Sequence, residues 1–339
     1  MRRVLLPLAI SSTAPFADGV LRDFAGRSMG TSWSVRLLAD PGQDADFQSG
    51  LQQQLDVVVA QMSHWEAASD LGRFNRAPAG SWHVLPPAFF DVLSFALEVA
   101  RQSRGAYDPC AGALVNLWGF GPHGRFGEDG FSAPAPQAVA QVLKERAAQQ
   151  IVLQADDRRA LQPGGLQLDF SAVAKGYAVD RLAYFLKSHG VKHFLVEVGG
   201  ELRGAGMKQD GQPWWVKLEE VDGESSAPAA PDELVLALHG LSVATSGDYR
   251  RYFQHGEQRY SHTIDPRSGQ PIDNGLASVT VLHPQCMAAD AWSTALTVLG
   301  RHDGLALAER MGLAARFVER TPTGLREYLS TPFEQMLAE

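Results

Sequence analysis

Asp290 and Thr294 stand four residues apart in MAADAWST (287–294). On a helix that spacing puts both side chains on one face. A carboxylate and a hydroxyl are hard oxygen donors, suited to magnesium rather than zinc. Apolar neighbours surround Asp290, and there a carboxylate without a partner is costly. An exposed polar pair is the ordinary alternative at this spacing. The segment LDFSAVAKGYAVD (168–180) suggests a second kind of chemistry. Asp169 ends an apolar, strand-like run and Ser171 can cap a helix. Backbone N–H groups at such a helix start suit a phosphate, and Lys175 adds positive charge. A third cluster runs over 244–266, where Thr245, Ser246, Gly247, Asp248 and Tyr249 can line a turn. In it His262 lies just before Asp265-Pro266, and an imidazole shuttles protons near neutral pH. Any one of the ten histidines is more often structural than catalytic.

Trp65, Tyr107, Trp118 and Phe120 offer planar faces on which a flavin ring could stack, although each also fits a core. GFGPHG (119–124) matches the GxGxxG pattern but is a decoy, because no helix follows it. Cys110 and Cys286 are far apart and form no paired-ligand pattern, which argues against zinc and against a disulfide framework. The formal charge of −8 does not favour a polyanion surface, so nucleic acid is not an expected partner.

These residues need elements to position them. Alternation predicts a strand over 32–38, and helical spacing from Phe47 to Met62 predicts a helix over 45–63. Further helices are expected over 87–105, 137–148, 177–189 and 287–299. Strands are expected over 194–198, 214–218, 234–238 and 276–282. Residues 121–137 read as a loop and 222–232 (DGESSAPAAPD) as a surface insertion. No internal repeat is evident. Helices and strands mix without regular βαβ alternation, so the expected fold class is α+β. At 339 residues, the chain is long enough for about two lobes. Residues 1–25 read as a flexible leader, leaving one domain over 26–339. No apolar run reaches the ~18 residues of a membrane span. The run Val4–Ile10, broken by Pro7, is a poor export signal, and no cysteine follows it to carry a lipid anchor. A cytoplasmic location is favoured on this reading, with a periplasmic one as the alternative.

Taken in order, eight segments resemble the ApbE family, the FAD:protein FMN transferases: 28–35 (SMGTSWSV), 62–75, 107–122, 168–180, 195–206, 244–253, 259–272 and 287–296. The resemblance spans about Gly26 to Gly300. It implies a T-fold-like arrangement of mixed sheets with flanking helices and a flavin site in a cleft between lobes. It implies FAD as substrate, Mg2+ as cofactor, and an acceptor flavoprotein whose exposed threonine or serine receives FMN while AMP leaves. By position, it assigns the metal to Asp290, Thr294 and the backbone oxygen of Ala174. Met29, Trp65, Asp108, Pro109, Cys110, Ser171, Lys175, Tyr177 and Ile264 fall around FAD. Asn75 lies near the flavin nucleotide, His262 takes the place of the essential histidine, and Asp248 or Asp265 would orient its ring. Trp65 departs from the usual tyrosine, which keeps an aromatic platform but removes a phenol hydroxyl. Two other outcomes of the same site are a magnesium-dependent FAD pyrophosphatase and a non-catalytic FAD carrier.

Overall fold

The computed structural model describes residues 2–7, 19–40, 46–218, 233–247, 252–255 and 258–337. The chain opens with β1 (Arg2–Leu5) and the hairpin β2 (Val20–Ser28) and β3 (Thr31–Ala39). Helices α1 (Phe47–Met62) and α2 (Asp70–Asn75) lead to β4 (Ser81–Val84), then α3 (Pro87–Gln102), α4 (Gly112–Leu117) and α5 (Pro136–Ala147). The short strands β5 (Val152–Gln154) and β6 (Arg159–Gln162) precede α6 (Ala174–Ser188). Five strands follow: β7 (Phe194–Val198), β8 (Glu201–Ala205), β9 (Trp214–Lys217), β10 (Glu233–Leu238) and β11 (Ser242–Gly247). Next come β12 (Tyr252–His255), β13 (Gln258–Ser261), β14 (Ile264–Asp265) and β15 (Gln270–Pro271). The chain ends with β16 (Leu276–His283), α7 (Cys286–Met311), β17 (Ala314–Thr321), β18 (Gly324–Leu329) and α8 (Thr331–Glu334).

These elements form two compact units that interleave along the chain. The first takes residues 1–56, 175–247 and 275–339, and the second takes 57–174 and 248–274. The first unit holds an eight-stranded sheet in the order β18-β17-β16-β11-β8-β7-β3-β2. Every pairing in it is antiparallel. LASVTVLH (β16) is apolar enough to bury both faces, and seven of its eight residues are buried. Helix α7 packs on β11 and β16. A second, three-stranded sheet, β1-β10-β9, closes over a core of Leu5, Leu236, Leu238, Trp214 and Phe333. The second unit combines α2 to α5 with the β4-β6-β5 sheet and two small hairpins. Leu114, Trp118, Val139, Phe253 and Ile264 form a core cluster there.

The α+β class is thus the observed one. Residues 2–7 and 19–25, expected as part of a leader, instead belong to the fold. Leu5 is fully buried, and β1 runs parallel to β10 in register from Arg2↔Glu233 to Leu5↔Leu236. A four-residue strand covered by a partner far along the chain has too short an apolar run to announce itself. The insertion at 222–232 lies outside the described residues. No helix among the described residues is long and apolar enough to cross a membrane.

Candidate functional site

In the first unit the chemistry collects where α6 meets α7. Asp180 of α6 fixes the start of α7. Its Oδ1 accepts from the Cys286 N–H at 3.0 Å and its Oδ2 from the Met287 N–H at 2.9 Å, and Arg203 pairs with the same carboxylate. A carboxylate at a helix start satisfies orphan donors and complements the helix dipole. One turn earlier on α6 is Gly176, where a Cβ would lie 2.4 Å from the Cys286 carbonyl oxygen and 2.7 Å from Asp290 Cβ. Only glycine lets the two helices approach this closely. The Gly176 N–H then donates to Asp290 Oδ2 at 2.9 Å. Asp290 is 3% exposed, and no hydrogen bond to its Oδ1 is found among the described residues.

A second buried acid, Glu201, was absent from the expected site. It begins β8 directly after the turn Gly199-Gly200, whose φ values of 62° and 102° close a two-residue hairpin from β7. Its Oε1 accepts from Lys175 Nζ, while its Oε2 is buried without a hydrogen-bond partner among the described residues. Burial pushes the Glu201 carboxyl up to about 7; Lys175 opposes the shift and Asp290 adds to it. Burial likewise raises Asp290, with Lys175 and the Gly176 N–H pulling it back. Two buried carboxyls thus lie in the field of one ammonium, and burial disfavours the charged form of both, a cost that a bound cation would relieve. A carboxylate oxygen without a hydrogen bond among the described residues, a neighbouring hydroxyl and a second buried acid fit a hard divalent cation.

The shift on Glu201 has a measurable consequence. Its value in the folded protein lies above the ordinary 4.5, so the folded state keeps a proton that the unfolded chain releases. The stability this confers is complete below about pH 4.5 and is lost as pH rises through 7. Measured in chelator, the melting temperature of Glu201→Gln should gain on that of the wild type between pH 5 and 7.5. A difference that does not vary with pH would contradict the assignment.

Thr294, half-buried one turn after Asp290, lies 3.0 Å from Ser246 Oγ on β11. Ser246 Oγ in turn lies 2.8 Å from Ser293 Oγ, which donates to the Asp290 carbonyl at 2.8 Å. Tyr177 follows Gly176 on α6 and is half-buried. Met29 occupies the β2–β3 turn at φ 52°, with Gly30 at 72°. For a methionine this left-handed geometry costs about 1–2 kcal/mol.

The second unit places the remaining expected residues. Trp65 is 45% exposed, with the Arg125 guanidinium 5.2 Å from its ring centroid. Asp108 Oδ1 accepts from the Cys110 N–H at 2.8 Å, and its Oδ2 pairs with Arg146 at 2.5 Å. Burial and the adjacent Asp108 push the Cys110 thiol well up, which disfavours its thiolate. The Pro109 carbonyl accepts from the Asp169 N–H at 2.8 Å. Ala174 opens α6. The helix leaves one lone pair on such a carbonyl.

Three expectations are revised. Ser171 does not cap α6, which starts three residues later. Its own N–H donates to Asp169 Oδ1 at 2.7 Å, because a short aspartate folds back two residues on. The Val173 and Ala174 N–H groups go to the Phe170 carbonyl, so much of the expected phosphate cradle is already engaged. Lys175 is not an unbalanced cation, being paired with Glu201. Asn75, expected among the catalytic residues, uses its amide on the backbone of Leu168, donating at 2.9 Å and accepting at 2.8 Å, so it holds the 168–171 segment in place and keeps one N–H and one lone pair for a further contact.

His262 is half-buried between β13 and β14, edge-on to Phe120 at 6.3 Å between ring centroids. Asp248 lies outside the described residues. Asp265 is engaged by the Arg267 guanidinium at 2.8 and 2.9 Å. Ile264, Tyr107 and Trp118 are buried, and the Trp118 N–H donates to the Gly269 carbonyl at 2.8 Å.

The sequence profile of the ApbE family matches residues 29–317. The chain belongs to the ApbE family. Its similarity to curated members extends over nearly the whole length. The FAD:protein FMN transferase of Vibrio cholerae serotype O1 is 33% identical, covering 93% of this chain and 92% of that protein. The enzyme of the same name from Escherichia coli K12 is also 33% identical, covering 92% and 88%. Among solved structures, the apo flavinyl transferase ApbE of Pseudomonas stutzeri superposes with a TM-score of 0.83 at 36% identity, over 94% of this chain and 97% of that one. The flavin transferase ApbE of Vibrio cholerae gives 0.83 at 32%, over 94% and 99%. In this ApbE chain Glu201 lies inside the quoted segment 195–206. An acid directly after a two-glycine turn was the signal available for it.

Proposed function

We propose that this chain transfers the FMN half of FAD to a threonine or serine hydroxyl of an acceptor flavoprotein, with magnesium as cofactor and AMP as leaving group. The observation that carries this reading is the buried Asp290, with one oxygen tied to Gly176 and the other not hydrogen-bonded among the described residues, one turn before Thr294 and near a second buried acid, Glu201. Asp290, Thr294 and the Ala174 carbonyl would hold the cation. When bound, Mg2+ supplies charge neutralisation for the diphosphate. Met29, Trp65, the 108–110 turn, Ser171, Lys175, Tyr177 and Ile264 would surround FAD. His262 accepts the proton of the acceptor hydroxyl as its oxygen bonds to the FMN phosphorus and the bond to the AMP oxygen breaks.

Trp65 gives this reading a separate check. Loss of an aromatic contact worth about 0.5–1.5 kcal/mol should weaken FAD binding in Trp65→Ala about two- to twelvefold. Fluorescence titration measures this, and unchanged affinity would remove stacking at that position.

The class of reaction is tested by incubating the protein with FAD, Mg2+ and candidate acceptors. The expected product is a fluorescent acceptor band that survives denaturation, heavier by one FMN, with AMP in equal amount. Free FMN and AMP without an adduct would make the chain a pyrophosphatase. FAD binding without AMP would make it a carrier.

A further inference from the structure

The hydroxyls around Thr294 form a chain whose direction is fixed by counting protons. Each serine or threonine hydroxyl has one proton to donate and two lone pairs. Ser293 spends its proton on the Asp290 carbonyl, a group that can only accept, at 2.8 Å. In the 2.8 Å pair between Ser246 and Ser293, Ser246 must therefore be the donor. With the Ser246 proton committed, Thr294 must donate in the 3.0 Å pair with Ser246. The relay runs one way, from Thr294 through Ser246 and Ser293 to the backbone of Asp290. Thr294 Oγ1 is left with lone pairs and no proton for any further neighbour.

We infer that Ser246, with Ser293 behind it, is a positioning residue that presents the Thr294 oxygen to a hard cation as a pure acceptor. This rests on the cation reading proposed above. The oxygen of a freely rotating hydroxyl offers a cation either a lone pair or an opposed proton, whereas the relay removes the second option. Groups that orient metal ligands in this way typically contribute 10- to 100-fold in affinity. β11 places Ser246 opposite α7, and neither serine needs to touch the cation itself.

The test reads metal affinity without FAD or turnover: Mn2+ is titrated into the full chain and free Mn2+ is followed by electron paramagnetic resonance. Ser246→Ala should bind Mn2+ at least about tenfold more weakly while melting at the wild-type temperature, and Ser246→Thr, which keeps the hydroxyl, should restore tight binding. If Ser246→Ala does not fold, Ser293→Ala serves instead. It frees Ser246 to donate to Thr294, so the same loss is expected. Wild-type affinity in the alanine variant would overturn the relay. The parent reading fails differently: wild-type protein that binds no Mn2+, or Asp290→Ala that binds it as well as wild type, removes the cation site itself.

Discussion

Asp290→Ala is expected to lower kcat/KM for FMN transfer by at least about 10³-fold, roughly 4 kcal/mol of transition-state stabilisation, and to abolish tight binding of divalent metal. Asp290 is the one proposed ligand that brings a negative charge, and α6 and α7 are tied together around it by Gly176 and Asp180. The loss should not come from unfolding. Removing the carboxylate leaves the Gly176 N–H without an acceptor, at a cost of about 1–3 kcal/mol. It also removes a charge whose ionised form burial disfavours. Asp290→Asn separates these effects, because its amide oxygen can still accept from Gly176. Steady-state transfer rates and a melting curve for both variants check the expectation. Retained turnover at modest Mg2+ would reassign the metal.

His262→Ala should bind FAD and metal as the wild type does and yet lose about 10²–10⁴-fold in transfer, the range for a general base. The imidazole stands between two short hairpins. The Thr263 N–H donates to Ser261 Oγ at 3.2 Å and the Ile272 N–H to the Thr263 carbonyl at 2.9 Å. Phe120 stands edge-on to it. Those bonds run between Ser261, Thr263 and Ile272, so truncation of the ring should leave β13 and β14 intact. Single-turnover transfer, measured beside an FAD binding isotherm, distinguishes the outcomes. Normal turnover would remove the catalytic role.

Much of this architecture was legible in the sequence because periodicity reports burial. Expected helices over 45–63, 87–105 and 137–148 match α1, α3 and α5 within three residues, and the strand at 194–198 is β7. The helix expected over 177–189 also agrees with α6 within three residues, although it leaves Gly176 outside. That glycine lies inside the helix because α7 presses against it. The helix expected over 287–299 stops just before Gly300. That glycine is a real break, with φ 78° and ψ 176°, after which helix resumes to Met311. Strands β17 and β18 were not anticipated, although Thr321↔Gly324 closes a simple hairpin between them. For the site, residue types and spacing indicated Asp290 and Thr294, but nothing local shows that Lys175 is balanced by Glu201 from 26 residues away. The hydroxyl relay is equally nonlocal, since Ser246 meets Thr294 across 48 residues. Such pairings are set by which strand lies under which helix, and one-dimensional patterns do not encode it.

The most direct measurement is anomalous diffraction from crystals of the protein soaked with Mn2+ and FAD. The account predicts one strong peak in coordination contact with Asp290 Oδ1 and Thr294 Oγ1, with diphosphate density beside it. FAD bound in ordered density, with no peak at those two oxygens, would contradict it.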